Sequence, residues 1–290
     1  MKVGITAATG RLGNFVVRHL LKKLPANQII AIVRNTEKAA PFASMGVEIR
    51  YGNYNEPVSL EKALVGINKL LLISSSDAHD ETLRWVQHGN VVKAAKAAGV
   101  GHICYTGTAF PENATFGPAL LHLATEYAIR ASKLTYTLLR DTLYTDDFIT
   151  PGMVKYAIDS GVMITNAGNG RLNSVTRSDF GLAHATVLAT TGHENKTYNL
   201  VSISPWSMDE LAKAISEASN KNIVHKSGSP EEVTNFLLKS GFDETFAKRR
   251  LAVYSQIAIG EWAKTSDDLR MLIGHETPLK ETIQGVMSRF

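Results

Sequence analysis

Apolar and polar positions in the first half of the chain alternate between two periods. Short β-type runs fall at Val3–Thr6, Ile29–Val33, Val47–Tyr51, Leu70–Ser74, Ile103–Thr106 and Tyr136–Leu139. Helical patterns lie between them. In Leu12–Leu24, the residues Leu12, Phe15, Val16, His19, Leu20 and Lys23 share one side, and Leu83–Ala98 is closed by Gly99 as a C-terminal cap. Short apolar strands alternating with helices predict parallel pairing with helices on both faces, so the fold class is α/β with a doubly wound parallel sheet.

After about residue 145 the rhythm loosens. Asp179–Thr190 reads as one more helix and Tyr198–Val201 as one more strand, returning to the main sheet. Two capping boxes follow, Ser207 with Glu210 and Ser229 with Glu232, then a helix start at Thr277-Pro278. Ile223–His225 reads as an extra strand. The expected organisation is a first domain over 1–150, with 177–202 returning to its sheet, and a smaller, mainly helical C-terminal lobe over 203–290 with 151–176.

An open parallel sheet binds ligands beyond the carboxyl ends of its strands. That directs attention to 7–13, 34–38, 52–55, 74–78, 106–110 and 140–148, with the second lobe forming the other wall of a cleft. The first strand runs through Ala7-Ala8-Thr9-Gly10-Arg11-Leu12-Gly13 directly into a helix. A phosphate at a helix N-terminus meets free amides and the positive end of the dipole. Gly10 removes a Cβ where a pyrophosphate approaches, and Gly13 lets helix and strand pack closely. The turn therefore reads as a dinucleotide site in a Rossmann fold, against the plainer alternative of a tight structural turn. The second strand ends in Arg34, where NAD-preferring folds carry an acid. A guanidinium can grip a 2′-phosphate, with Lys38 and Arg11 near enough to assist, so the expected cofactor is NADP(H). Otherwise Arg34 is an ordinary surface cation.

Composition adds limits. Hydrophobic residues make up 44% and charged residues 20%, and the formal net charge is +4, an ordinary globular profile. The one cysteine, Cys104, lies in an apolar run and reads as a buried thiol before it reads as a nucleophile. Met1–Thr6 leaves no room for a signal peptide, and no apolar stretch approaches the ~20 residues of a membrane span, so the expectation is cytoplasmic with no membrane partner. Lys248-Arg249-Arg250 reads as a solvated helix face, so no direct nucleic-acid partner is expected. The nine histidines show no metal-ligand spacing.

By Thr6–Gly13, Val33–Asn35, Leu70–Ser76, Tyr136–Arg140 with Tyr144, and Arg177–Phe180, the chain resembles the NmrA-like branch of the atypical short-chain dehydrogenases/reductases. Within that branch the pattern is nearest to the bacterial NADPH:quinone oxidoreductases. The resemblance implies that Ala7, Ala8, Thr9, Gly10, Arg11 and Leu12 hold the pyrophosphate and Arg34 the 2′-phosphate. Ser74, Ser75 and Ser76 would line the adenosine and ribose side, with Thr106 in the same cofactor set. Arg140, Asp141, Thr142, Leu143 and Tyr144 would line the nicotinamide side. Two residues depart from the branch's pattern. Ala7 stands for a glycine, which costs little if its φ stays negative. Asn53 replaces a common acid, and an amide can still donate and accept.

Ordinary short-chain reductases use Tyr-x-x-x-Lys, but no tyrosine here has lysine four residues later. The helix expected to carry the pair, Pro118–Lys133, offers His122 and Glu126 instead. His122 is a candidate proton source or orienting donor, or equally a packing residue. Glu126 is expected to pair with Arg130 at i+4 rather than act as a base. Tyr105, Phe110, Tyr144 and Phe148 are either walls for a flat acceptor or core. A ketone needs a proton donor, whereas a quinone can leave as a delocalised anion. The expected activity is therefore flavin-free, NADPH-dependent reduction of a small quinone-like molecule, with His122 and Tyr144 as catalytic candidates. A non-catalytic NADP(H) sensor is the alternative, and a sugar-nucleotide epimerase a more remote one. Monomer and homodimer both stay open.

Overall fold

A computed structural model describes residues 1–76, 80–114 and 118–290, so 77 and 78 of the expected 74–78 window lie outside the described residues. In chain order the first elements are β1 (Val3–Thr6), α1 (Arg11–Leu20), β2 (Ile29–Val33), α2 (Ala40–Ser44), β3 (Glu48–Tyr51) and α3 (Pro57–Ala63). They are followed by β4 (Lys69–Leu72), α4 (Glu81–Ala97), β5 (His102–Thr108), α5 (Pro118–Ala131) and β6 (Thr135–Asp141). Next come β7 (Leu143–Tyr144), α6 (Thr145–Phe148), α7 (Pro151–Ser160), β8 (Val162–Thr165), β9 (Arg171–Leu172), β10 (Ser174–Val175), α8 (Arg177–Ala189) and β11 (Lys196–Leu200). The chain ends with β12 (Trp206–Ser207), α9 (Met208–Ser219), β13 (Val224–Ser227), α10 (Pro230–Lys239), α11 (Glu244–Ala258), α12 (Asp268–Ile273) and α13 (Leu279–Met287).

Two compact units result: Met1–Asp141 with Arg177–Leu200 and Met271–Gly274, and Thr142–Thr176 with Val201–Arg270 and His275–Phe290. The first unit thus separates at Asp141, where β6 ends, rather than at 150. Its seven strands run in the order β11-β6-β5-β4-β1-β2-β3, every pairing parallel. Residues Ile30, Ile32, Leu70, Leu72, Ile103, Tyr105 and Leu138 enter one core with Leu60 of α3, Val91 and Ala95 of α4 and Ile129 of α5. The pleat sends the intervening Ala31, Leu71 and Cys104, all fully buried, to the opposite face. There α1 and α8 approach closely, because a Cβ on Gly181 would lie 2.6 Å from that of Phe15. The strand order reverses between β1 and β4, which places the ligand crevice at their carboxyl ends.

In the second unit, both expected capping boxes are present, at Ser207/Glu210 heading α9 and Ser229/Glu232 heading α10. The expected strand at Ile223–His225 forms one residue later as β13, parallel to β8. Among the described residues, no helix is long and apolar enough to cross a membrane.

Candidate functional site

β1 leads through Ala7–Gly10 straight into α1. The Gly10 N–H donates to the Ala7 carbonyl at 2.9 Å and closes the turn. Gly10 is the N-cap residue, no side chain caps the helix, and its first turn carries no acid. First-turn amides have no intrahelical acceptor, so this end suits an anion. A Cβ on Gly13 would lie 2.4 Å from the Ala7 carbonyl oxygen, and one on Gly10 3.0 Å from it. The condition under which Ala7 costs little is not met: its φ is +48°, a left-handed backbone carried by a residue with a methyl group.

Around this turn lies a cleft of about 480 Å³ within the first unit. Ala7, Thr9 and Gly10 line one part, and Arg34, Asn35 and Lys38 the part beyond β2. Asn53 and Tyr54 follow β3, Ser74, Ser75 and Ser76 follow β4, and Gln87 comes from α4. Of the expected cofactor residues, seven therefore meet here. Ala8 and Leu12 are buried, and Arg11 is exposed on α1. Thr106 is buried and acts from behind, its Oγ1 accepting from the Ser74 N–H at 2.9 Å.

Sequence reasoning missed Tyr54 and Gln87. The Tyr54 hydroxyl donates to the Ile73 carbonyl at 2.7 Å and also contacts Thr6 Oγ1, tying the third-strand loop to the fourth. Its only sequence signal was its place in the 52–55 window. Asn53 spends its amide locally: Nδ2 donates to Glu56 at 2.9 Å and Oδ1 accepts from the Asn55 N–H at 3.1 Å. None of the described lining residues is acidic. A turn closed to Cβ atoms, exposed Arg34 beside Lys38, and a hydroxyl-lined wall fit a dinucleotide carrying an additional phosphate.

Several predicted chemical residues prove to be interior. Tyr105 is fully buried in the sheet core, so it is no acceptor wall. Its hydroxyl meets His122 Nδ1 at 2.7 Å. Burial lowers His122 to about 3, with the charges of Arg84 and His88 adding to the effect. His122 is thus neutral near pH 7, which removes the proton-source role and leaves only that of an N–H donor. Glu126 does not pair with Arg130. It takes Arg140 in a two-point contact, Nε and Nη2 each at 2.8 Å, while Glu112 lies 2.7 Å from Nη2. The Arg130 guanidinium instead lies 5.6 Å from the Tyr136 ring centroid.

The expected nicotinamide-side roles of Arg140 and Asp141 need the same correction, since both side chains are committed elsewhere. Asp141 Oδ1 is 2.9 Å from His184 Nε2 in full burial, and desolvation raises its carboxyl against the pull of His184. Cys104 is buried and its thiol is pushed up to about 12 by burial. Phe110 is half-buried with φ +50°, its N–H donating to Asn199 Oδ1 at 3.2 Å.

The remaining candidates belong to the second unit. Thr142 Oγ1 donates to the Asn173 carbonyl at 3.0 Å, and half-buried Leu143 and Tyr144 form β7 beside β10. Phe148 is buried at 5% exposure, with the Arg250 guanidinium 3.8 Å over its ring and Trp206 and Tyr254 alongside. It is a packing residue rather than an acceptor wall. Arg250 correspondingly leaves the expected solvated face: it is buried, while Lys248 and Arg249 are exposed.

Comparison with known proteins adds to this geometry. Residues 7–191 match the family model described as NAD(P)H-binding. Quinone oxidoreductase 2 of Escherichia coli (strain K12) is 37% identical over 275 residues, 95% of this chain and 94% of that protein. The structure of triphenylmethane reductase from Citrobacter sp. complexed with NADP(H) superposes with a TM-score of 0.95 at 55% identity, covering 98% of this chain and all of that one. The NADPH complex of the E. coli NADPH-dependent quinone oxidoreductase superposes at 0.90 and 36% identity, covering 98% and 99%.

Proposed function

The chain belongs to the NAD(P)H-binding family and is an NADPH-dependent oxidoreductase; from that premise we propose that it reduces flat, delocalised electrophiles, quinones above all, without a flavin. The carrying observation is negative: no tyrosine has lysine four residues later. The buried Tyr105–His122 pair cannot replace that donor, because His122 is neutral at working pH. A ketone reduced here would need a proton from the protein. A quinone does not, since its reduced anion is delocalised. A triarylmethyl cation needs none at all, because hydride addition makes it neutral. The 55% identity to a triphenylmethane reductase supports including that second acceptor class.

The amides of α1 with Thr9 and Gly10 would hold the pyrophosphate, Arg34 and Lys38 the 2′-phosphate, and Ser74–Ser76 with Tyr54 the adenosine side. When bound, NADPH supplies the hydride. In the first unit His122 serves at most as a neutral N–H donor; in the second, the Tyr144 ring offers an aromatic face for a flat acceptor. A cytoplasmic setting and a small-molecule acceptor go with this reading.

The test is direct. NADPH oxidation is followed by absorbance with 1,4-benzoquinones, triarylmethane dyes, ketones and aldehydes, no flavin added. Turnover with the first two classes and little with the others is expected. Protein that binds NADPH, separates it from NADP⁺ by affinity and leaves every quinone and dye at background would overturn the enzyme reading in favour of the sensor.

A further inference from the structure

The buried face of α4 changes character along its length. Its second half buries Val91, Val92, Ala94 and Ala95, whereas its first half buries Gln87 and His88, at 4% and 0% exposure. A polar pair sunk that deeply is costly unless every loss of water is replaced by a specific partner. Gln87 Nε2 and both ring nitrogens of His88 find partners, on the two loops that edge the cofactor cleft and at Thr125 of α5, while Gln87 Oε1 has none.

Gln87 Nε2 donates to Asn55 Oδ1 at 3.0 Å, and Asn90 Nδ2 to the Tyr54 carbonyl at 2.9 Å, so both hold the loop after β3. The loop after β4 is held by His88, whose Nε2 accepts the Ser75 N–H at 2.8 Å. An acceptor Nε2 puts the ring proton on Nδ1, which donates to Thr125 Oγ1 2.9 Å away, and the Thr125 hydroxyl donates in turn to the Leu121 carbonyl at 3.0 Å. Burial lowers His88 to about 3, with Arg84 adding, so this polarity persists across the physiological range.

We propose that Gln87, His88 and Asn90 form a bracket on α4 that positions the Tyr54 and Ser74–Ser76 loops for the adenosine half of NADPH, with His88 as its central positioning residue. The inference rests on the reading of the cleft given above. The three side chains do not act as catalytic groups. They fix the two loops, already linked by the Tyr54 hydroxyl at Ile73, to one rigid helix, and act on the cofactor through them.

Calorimetric titration of the full chain with NADPH tests this, using His88→Leu, His88→Gln, Asn90→Leu and Arg34→Ala. A glutamine oxygen can reach where Nε2 stands and accept from Ser75; leucine cannot. Loss of the acceptor strands a buried amide, so His88→Leu should raise the Kd for NADPH about tenfold. His88→Gln should restore it to within about threefold. Should His88→Leu fail to fold, Asn90→Leu carries the test, with a several-fold rise expected because the Tyr54 carbonyl loses its tie to α4. A lowered melting temperature with unchanged Kd in both leucine variants would overturn the proposal, as would a glutamine variant no better than leucine. If Arg34→Ala weakens NADPH while the α4 variants do not, the bracket fails and the cleft stands; if none of them changes the Kd, the cleft assignment itself fails.

Discussion

Ala7 opens the turn from β1 into α1 with φ +48°. An L-residue with a Cβ pays about 1–2 kcal/mol to sit there. Replacing it by glycine removes that strain but gives the unfolded chain more freedom, worth about 0.4–1 kcal/mol in the other direction. Ala7→Gly should therefore stabilise the protein by about 0.5–1 kcal/mol, which for a chain of this size is a Tm rise of about 1–4 °C. Differential scanning calorimetry without cofactor measures it. Ala7 also lines the cleft, so the Kd for NADPH should stay within a few-fold where only strain common to the free and bound protein is relieved, and should fall tenfold or more where the methyl crowds the pyrophosphate. Ala7→Val supplies the opposite sign, since a β-branched side chain tolerates this conformation still less. A Tm for Ala7→Gly at or below that of the unmodified protein refutes the strain argument.

Arg34→Ala should erase most of the NADPH preference over NADH, roughly tenfold to a hundredfold, while leaving NADH affinity nearly unchanged; equal affinities in the unmodified protein would end the assignment. Glu126→Ala should cost about 3–5 kcal/mol in urea unfolding because it leaves buried Arg140 with only the half-exposed Glu112 carboxylate, whereas Glu112→Ala, which keeps the buried two-point pair, should cost far less. His88 and His122 both drop from 6.5 to about 3 on folding, so the unfolded chain binds the extra protons and stability falls as pH goes down through 6.5. Between pH 7.5 and 5 the two together should remove about 4 kcal/mol, and His122→Gln should recover about half of it; urea curves that do not shift over that interval would contradict buried neutral rings. Tyr144→Ala should lower quinone turnover far more than NADPH affinity, and equal losses in both would show that its ring does not support the acceptor.

The fold was legible because parallel strands buried on both faces leave unbroken apolar runs, and all six predicted runs became strands. The turn from β1 into α1 was legible because its signal is local: a strand, two glycines and a helix start within eight residues. What failed was information carried across the fold. Tyr105 reads the same in the sequence whether its ring enters the core or a cleft, and only the phase of the pleat against the covering helices decides. Glu126 has Arg130 at helical spacing, yet the nearer and better oriented cation is Arg140 on the adjacent strand, fourteen residues away. Arg250 sits in a run of three cations but turns inward, because the Phe148 ring accepts its guanidinium face. Nothing in the sequence marked Gln87, His88 and Asn90 on α4, since their partners lie on segments that sequence order does not bring near.

The split of the sheet-bearing unit into Met1–Asp141 and Arg177–Leu200 bears on how the chain is made. At ~5–20 residues per second, about 3–12 s separate the synthesis of Asp141 from that of Leu200. During that interval β6 is an edge strand, its open side waiting for β11. The face of α1 that receives Gly181 stays uncovered for about two-thirds of it. The intervening segment, 142–176, cannot close its own unit either, since that unit also needs Val201–Arg270. Ribosome-bound chains should therefore pass through a window in which a hydrophobic strand edge and a helix face are exposed together. That is the stage at which chaperone dependence or mispairing between neighbouring nascent chains should be greatest.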